Sequence, residues 1–494
     1  MGREGGSRWK PILNPVGPEY PPSMVGVVDP RGTSRSASMG ALPTLPLILL
    51  LCMVAVACGS EGGGPTGTPG MGTRSPTASF SPQLPSGVTT IVYVMGQSAL
   101  CADTGDGSRA QPFCHIQAAA LAAVPGEAVR VMTGTYQETV TVAVSGTAGA
   151  PILFLADKGV TVTDGINGFD LHAVSWITVQ GFRITHTLGD GISVEGGQHV
   201  SIIGNDVSFA GMKAPGQTAS GIDLASSIDP TVTGNVVGHN SDSGIFLGGG
   251  TSGATVSGNV TFENAQGYRR AAVGIDVRDD GNTIEGNVSH DNEDSGIQVF
   301  TGAEGNVVRD NVVYHNGDHG IDVVGAAHTI VTSNSIYANS SAGINLEKGS
   351  VDCTVANNID ADNGISSSRT AGDIRVEASS IPGTELDYDL VYLGPAGTVM
   401  FIWGALGYAS LAGFLAATGQ EAHGIQAPPG WVAPSAGNFH LRANSAAIDS
   451  ANSAASGEST TDSAGNARTD DRSVRNTGAG PRAFDDRGAY EFLG

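Results

Sequence analysis

Residues 287–346 read NVSHDNEDSGIQVFTGAEGNVVRDNVVYHNGDHGIDVVGAAHTIVTSNSIYANSSAGINL. One pattern recurs in them: glycine, isoleucine, a variable residue and an aliphatic residue, at Gly296-Ile297-Gln298-Val299, Gly320-Ile321-Asp322-Val323 and Gly343-Ile344-Asn345-Leu346. Working outward, the same pattern stands at Gly191-Ile192-Ser193-Val194, Gly221-Ile222-Asp223-Leu224, Gly244-Ile245-Phe246-Leu247 and Gly274-Ile275-Asp276-Val277. The spacings are 30, 23, 30, 22, 24 and 23 residues. A second marker keeps step with it at Asn205, Asn235, Asn259, Asn287, Asn311, Asn334 and Asn357, each followed by an alternating apolar strand. A third follows that strand at Asn240, Asn264, Asn292, Asn316 and Asn339. Repeats of this length are the signature of a solenoid.

The period selects the solenoid. A leucine-rich repeat would need its leucine frame, and a helical repeat would need Ala, Leu, Glu and Lys in helical register; neither is present. Three short strands with their turns fill one such repeat, so the expected fold class is all-β, a right-handed parallel β-helix. Within each Gly-Ile-x-aliphatic strand, the isoleucine and the residue two later share the inner face, and the residue between them points outward. The asparagines are expected at turns, where Asn tolerates left-handed backbone and can bond to its counterpart one coil away. The two long coils carry insertions, Met212 to Ala219 and Gln266 to Ala272, and solenoid insertions map to one face, often the binding face.

Composition agrees. Of 494 residues 72 are glycine, and only 14% are charged, which excludes coiled coils and charged helical bundles. With 24 basic against 47 acidic residues the net charge is −23, which argues against nucleic acid as a partner; a polyanionic partner would need a bridging cation. The run Leu42 to Ala57, LPTLPLILLLCMVAVA, follows Arg31 and Arg35 and is short for a membrane span, so it reads as an export signal. Its end, Ala55-Val56-Ala57-Cys58, resembles the lipobox of bacterial lipoproteins, which implies lipidation of Cys58 and a start at Met24 or Met39. Ordinary secretion is the alternative, and either one permits a Cys101–Cys114 disulfide. The Gly/Pro/Ser/Thr-rich stretch after Cys58 reads as a flexible tether. The expected organisation is 1–58 signal, 59–88 tether, 89–165 N-terminal cap and first coils, 166–385 repeats and 386–494 closing segment. The apolar stretch Val399 to Ala417, broken by Gly404, Gly407, Tyr408, Ser410 and Gly413, is expected to be buried rather than membrane-spanning.

The segment Val92 to Val162 resembles the opening of bacterial β-helix proteins of the pectate-lyase superfamily. Tyr93-Val94, Gly105-Asp106-Gly107, Pro112-Phe113, His115-Ile116-Gln117, Pro125-Gly126-Glu127 and Gly134-Thr135-Tyr136 carry the likeness. It implies a short N-terminal capping helix over Gln117 to Ala123. The end is similar too: Phe439-His440-Leu441, Ser445 to Asp449, and Asp486-Arg487-Gly488-Ala489-Tyr490-Glu491 look like the closing segment of exported β-helix proteins.

Within that superfamily the chain resembles the family 9 polysaccharide lyases, which carry an Asp-Asp-Gly-x-Asp calcium cluster and a strand lysine that removes the proton beside a uronate carboxylate. Asp318-His319-Gly320-Ile321-Asp322 matches with His319 in place of the second Asp; Asp294-Ser295-Gly296-Ile297-Gln298 and Asp242-Ser243-Gly244-Ile245-Phe246 are weaker versions. Ca²⁺ takes such hard oxygen ligands. The metal candidates are therefore Asp318, Asp322, the acidic run Asp276, Asp279 and Asp280, and Asp223. The outward positions Ser193, Asp223, Phe246, Asp276, Gln298, Asp322 and Asn345 include no lysine. Arg278, Lys348 and His319 stand in as base candidates, with Arg269 and Arg270 in the inserted loop; arginine is the base in other β-helix lyases. His239, His290 and His315, beside the ladder asparagines, read as a surface stack.

The expectation is an exported, lipid-anchored monomer that binds or cleaves an acidic polysaccharide by Ca²⁺-assisted β-elimination. The alternative is a non-catalytic surface binding or structural protein on the same scaffold, which the missing strand lysine favours. A hydrolase or uronate epimerase is a third, and would need paired carboxylates or a His/Tyr acid–base set.

Overall fold

The computed structural model describes residue 84 and residues 86–494, apart from 212–217, 267–271, 366 and 368–369. The expected export signal, Cys58, most of the expected tether, Arg269 and Arg270 lie outside the described residues. The described chain winds into a parallel β-helix whose three faces are 12-stranded sheets. The first sheet runs from Thr90–Val94 to Glu385–Asp387, the second from Val140–Val142 to Phe401–Trp403 and the hairpin strand Leu406–Tyr408, and the third from Gly134–Gln137 to Ile425–Gln426. The coils thus continue past residue 385, where the repeat pattern was expected to stop.

The period-2 alternation does what it predicts. In the second sheet Ile192, Ile222, Ile245, Ile275, Ile297, Ile321, Ile344 and Ile374 stack in register with full burial. Val194, Leu224, Leu247, Val277, Val299, Val323, Leu346 and Val376 form the parallel stack two residues on. Complete burial of each such side chain stabilises by roughly 2 kcal/mol.

Buried asparagine ladders hold the coils in step. Asn235 Oδ1 accepts from both the backbone N and the Nδ2 of Asn205, at 2.9 and 3.0 Å, and the motif repeats through Asn259, Asn287, Asn311, Asn334 and Asn358. A second ladder runs from Asn240 through Asn264, Asn292, Asn316 and Asn339 to Asn363. The ladder residue of the seventh coil is therefore Asn358, not Asn357. Asn357 takes the position before the rung, where the backbone is left-handed in every coil: Gly204, Gly234, Gly258, Gly286, Asp310, Ser333 and Asn357 all have φ between 54° and 66°. The left-handed turn and the ladder bond thus fall to adjacent residues rather than to one asparagine. Both ladders end on carboxylates. Asp389 Oδ1 accepts from Asn358 at 2.7 and 2.9 Å, and Asp373 Oδ1 accepts from the Asn363 backbone at 3.0 Å.

At the N-terminal side the helix Ile116–Ala122 packs Ile116, Ala119 and Ala120 inward, and its first amides donate to Glu138 at 2.9 and 2.8 Å. Cys101 and Cys114 are joined by a disulfide. Val399 to Ala417 is not a buried run. Met400 and Phe401 are interior, but Leu406 is 63% exposed, and Leu411–Thr418 is a helix capped by Ser410 and Gly419. Phe414 is its one buried residue and stacks on Phe401 at 4.2 Å. The stretch is apolar because a single-sided closing element covers the last of the inward stack.

The segment after Gly430 returns along the outside of the third sheet, where Trp431, Phe439, Leu441, Ile448 and Ala489 pack on Val312, Ile359 and Leu390. Buried Arg468 ties it down through Asp310 at 2.9 Å and Glu491 at 3.3 Å. Arg487 donates to the carbonyls of Asp389, His423 and Ser450. Gly488 sits at φ 83°, and a Cβ there would meet Ile359 Cδ1 at 2.7 Å and Ser335 Oγ at 2.8 Å.

Two substitutions test this account. Asn311→Ala strips a rung that accepts two bonds and donates two, so it is expected to cost about 3 kcal/mol or more in urea unfolding through the buried groups left unpaired. Gly488→Ala combines left-handed backbone with a side-chain collision and is expected to lower the thermal midpoint by several degrees.

Candidate functional site

The site lies on the outer face of the second sheet. The register places Asp170, Ser193, Asp223, Phe246, Asp276, Gln298, Asp322 and Asn345 in one outward row. The row continues to Arg375, paired with Asn345. Sequence reading missed Arg375 because its coil lacks the Gly-Ile signature. The trace it left is Ile374-Arg375-Val376, 30 residues after Ile344, the same spacing as the two long coils.

A cavity of about 380 Å³ opens over this row, lined among others by Asp294, Asp318, His319, Asp322, Lys348 and Arg375. It unites the best-matching motif with one of the two weaker ones, which supplies Asp294 and Gln298. Asp322 is gripped from both neighbouring coils: Asn345 Nδ2 donates to Oδ1 at 2.7 Å and Gln298 Nε2 to Oδ2 at 3.0 Å. Burial pushes its carboxyl up, while His319, Asn345 and Gln298 oppose that push. The His319 side chain is buried; Nε2 lies 3.0 Å from Thr370 Oγ1, and Nδ1, which has no hydrogen-bond partner among the described residues, lies 3.5 Å from an Asp318 oxygen. Asp294 is pushed up to about 7 by burial and then by the charges of Asp318 and Asp322.

The cations are tied to acids. Arg375 Nη1 donates to Asn345 Oδ1 and, at 3.1 Å, to Glu347. Against the upward push of its burial, Glu347 is held below the usual range by Asn345 and Arg375. Lys348 Nζ is 3.7 Å from Glu347, and its side chain is 65% exposed.

The other expected site residues lie elsewhere. Asp276 is buried in a pair with Arg278 at 2.9 Å. Asp279 accepts from the amides of Gly250 and Thr251, and Asp280 from the amide of Glu304. These three carboxylates are turn clamps and an ion-pair partner, and do not form one calcium group. Asp223 belongs to a separate acidic patch; burial, Asp190 and Asp242 push it up to about 7. Arg278, held by Asp276, does not line the cavity. Along the third sheet, away from the cavity, His239 stacks on Phe209 and His290 on Phe262 and Tyr314 at 4.8–5.7 Å, while His239 lies edge-on to Phe262 and His315 edge-on to Tyr314. Cys353 is buried, and burial pushes its thiol up to about 11. Among the described residues no three His, Cys, Asp or Glu side chains are grouped to hold a metal as they stand.

The cavity acids make stability depend on pH. Asp294 ionises near 3.8 in the unfolded chain and near 7 in the folded one, so the folded state holds the extra proton and stability falls as pH rises through that interval. Asn at this position removes the loss: Asp294→Asn is expected to match the parent at pH 4 and to exceed its stability by about 1 kcal/mol or more at pH 8 in urea titrations.

The family described as "Periplasmic copper-binding protein (NosD)" matches residues 175–374, less than half of the chain. Among solved structures, pectate lyase Pel9A superposes with a TM-score of 0.53 at 18% identity, over 83% of this chain and 98% of that one. The A-module of the Azotobacter vinelandii mannuronan C-5 epimerase AlgE6 gives 0.45 at 17%, over 64% and 94%. A rhamnogalacturonan lyase gives 0.39 at 13%, over 70% and 91%. At such identities the likeness is one of fold, the parallel β-helix. A search of curated proteins finds no match.

Proposed function

We propose that the cavity binds an acidic polysaccharide and cleaves it by β-elimination with a hard divalent cation, Ca²⁺, as cofactor. The observation that carries this reading is the convergence of Asp294, Asp318 and Asp322 with Lys348, Arg375 and His319 on one outward cavity. Asp294, which burial and then the charges of Asp318 and Asp322 push up to about 7, gains with its two neighbours from a cation that relieves their repulsion. Their oxygens are the hard donors that suit Ca²⁺, whereas copper is better served by imidazole and sulfur. Bound there, the ion would neutralise a uronate carboxylate and so acidify the neighbouring C–H.

The chain's own residues take the remaining roles. Arg375, fixed by Asn345 and Glu347, presents a guanidinium to a substrate carboxylate. Lys348, in its neutral amine form, takes the proton from carbon; the C–H electron pair becomes the C=C bond, and the glycosidic oxygen leaves with the C–O pair and takes a proton from solvent. His319, braced by Thr370, orients Asp318 and Asp322. Export through the N-terminal signal, with Cys58 lipidated, places a monomer outside the cytoplasm, where the Cys101–Cys114 bond persists.

A second reading, binding without cleavage, is favoured by one observation: the cavity's lysine and arginine, Lys348 and Arg375, both lie beside the carboxylate of Glu347. One assay separates the two. Pectate, alginate, heparinoid and glucuronan are incubated with the protein in Ca²⁺ or EDTA, and the unsaturated-uronate absorbance is followed. The lyase reading expects a Ca²⁺-dependent rise, lowered by about 10²-fold or more in Lys348→Ala, and a raised KM in Arg375→Gln. A flat trace with retained pull-down on one polymer moves the assignment to the binder, and a flat trace with no retention overturns both.

A further inference from the structure

Arg278 stands on the cavity's face but outside the cavity, and its surroundings are built around it. Its guanidinium lies between two phenyl rings, Phe246 one coil before at 5.2 Å and Phe300 one coil after at 5.0 Å. Nε and Nη2 donate to a single oxygen of buried Asp276 at 3.0 and 2.9 Å. The Phe246 ring fits because residue 248 is glycine: a Cβ there would meet ring carbons at 2.5 and 2.6 Å. Yet the Arg278 side chain is 46% exposed, and among the described residues Nη1 has no partner. Phe300 also lines the cavity that holds Asp322 and Arg375.

We infer that Arg278 is a distal subsite for a carboxylate of the same acidic glycan, reached when the bound chain runs along the helix axis. This rests on the acidic-glycan reading of the cavity. The rings flank the guanidinium from the coil on either side, and its remaining donors lie in its plane, the geometry that meets a planar carboxylate in bidentate fashion. Asp276 holds that plane still and leaves Nη1 open, so little side-chain entropy is lost on binding. Arg278 lies four coils from Arg375, or about 19 Å at the usual strand spacing. A glycan touching both must therefore be an oligosaccharide of several residues, and the subsite selects for chain length and for acidity away from the reacting bond.

Binding isotherms test it, with uronate oligosaccharides of graded length, their carboxyl-reduced counterparts and sulfated neutral oligosaccharides, on the full chain in Ca²⁺. The parent is expected to gain affinity stepwise once the oligomer spans the interval. Arg278→Gln should lose about tenfold on long acidic oligomers and nothing on short or reduced ones. Arg278→Lys, which keeps the charge without the fork, should recover only part. Gly248→Ala should give the same length-selective loss with the arginine in place, and the double variant Asp276→Asn/Arg278→Gln guards against the cost of a lone buried carboxylate. Equal weakening of short and long oligomers by Arg278→Gln, or no weakening while Arg375→Gln does weaken binding, overturns the subsite alone. A preference of the site for sulfated over carboxylated oligomers overturns its carboxylate assignment. If the parent binds no oligomer of any length, the acidic-glycan reading falls and the subsite with it.

Discussion

The structure depends on a bond between one asparagine and the next. Each rung takes two donors from the coil before it on a single carbonyl oxygen, and its own amide hydrogens go to a backbone carbonyl and to the following rung. Buried amides left unpaired are expensive, so a coil that slips by one residue forfeits bonds on both sides. A slip would also exchange inward and outward residues along all its strands. The ladders therefore act as the register gauge, and the aliphatic stacks can be built from interchangeable Ile, Val and Leu because they need not specify alignment.

Once register is fixed, a surface row becomes an instrument. Asp322 owes its position less to its own strand than to Gln298 below and Asn345 above, each contributed by a different coil. The same stacking carries Arg375 into contact with Asn345 and Glu347. A site assembled from consecutive coils on rigid strands has its side chains locked by their neighbours, which is what positioning of a charged substrate needs.

Much of this was legible in the sequence, and the exceptions have physical causes. The Gly-Ile-x-aliphatic repeat gave the coils and the outward row because a strand's period of two admits little else. The acidic cavity was legible where Asp318 and Asp322 share one motif. Arg375 was not, since its coil replaces the glycine signature by Asp373, whose carboxylate is used to end a ladder. Asp279 and Asp280 looked like metal ligands by density alone, but which way a turn carboxylate faces depends on the amides of neighbouring coils. Asn357 and Asn358 are adjacent and identical in type, and only the backbone decides which of them is the rung. Val399 to Ala417 read as interior because apolar content does not distinguish a buried strand from a closing helix with one covered face.

The carboxylates at the ladder ends have a consequence for how such a chain grows. An asparagine rung both takes and gives, so a coil inserted between two rungs finds a partner on either side, and duplication of a coil within the array is nearly neutral for the ladder. The side chains of Asp389 and Asp373 carry no amide hydrogens, and the Asp389 backbone N–H donates to another acid, Glu421. Burial pushes both carboxyls up, and neither side chain can repeat the paired amide donation that one asparagine makes to the next, so a coil added beyond them would find no rung to match. The solenoid is thus open to lengthening from within and closed at its C-terminal end: a polymer with a terminator, whose number of repeats can change over generations while the segment that follows the last coil stays where it is.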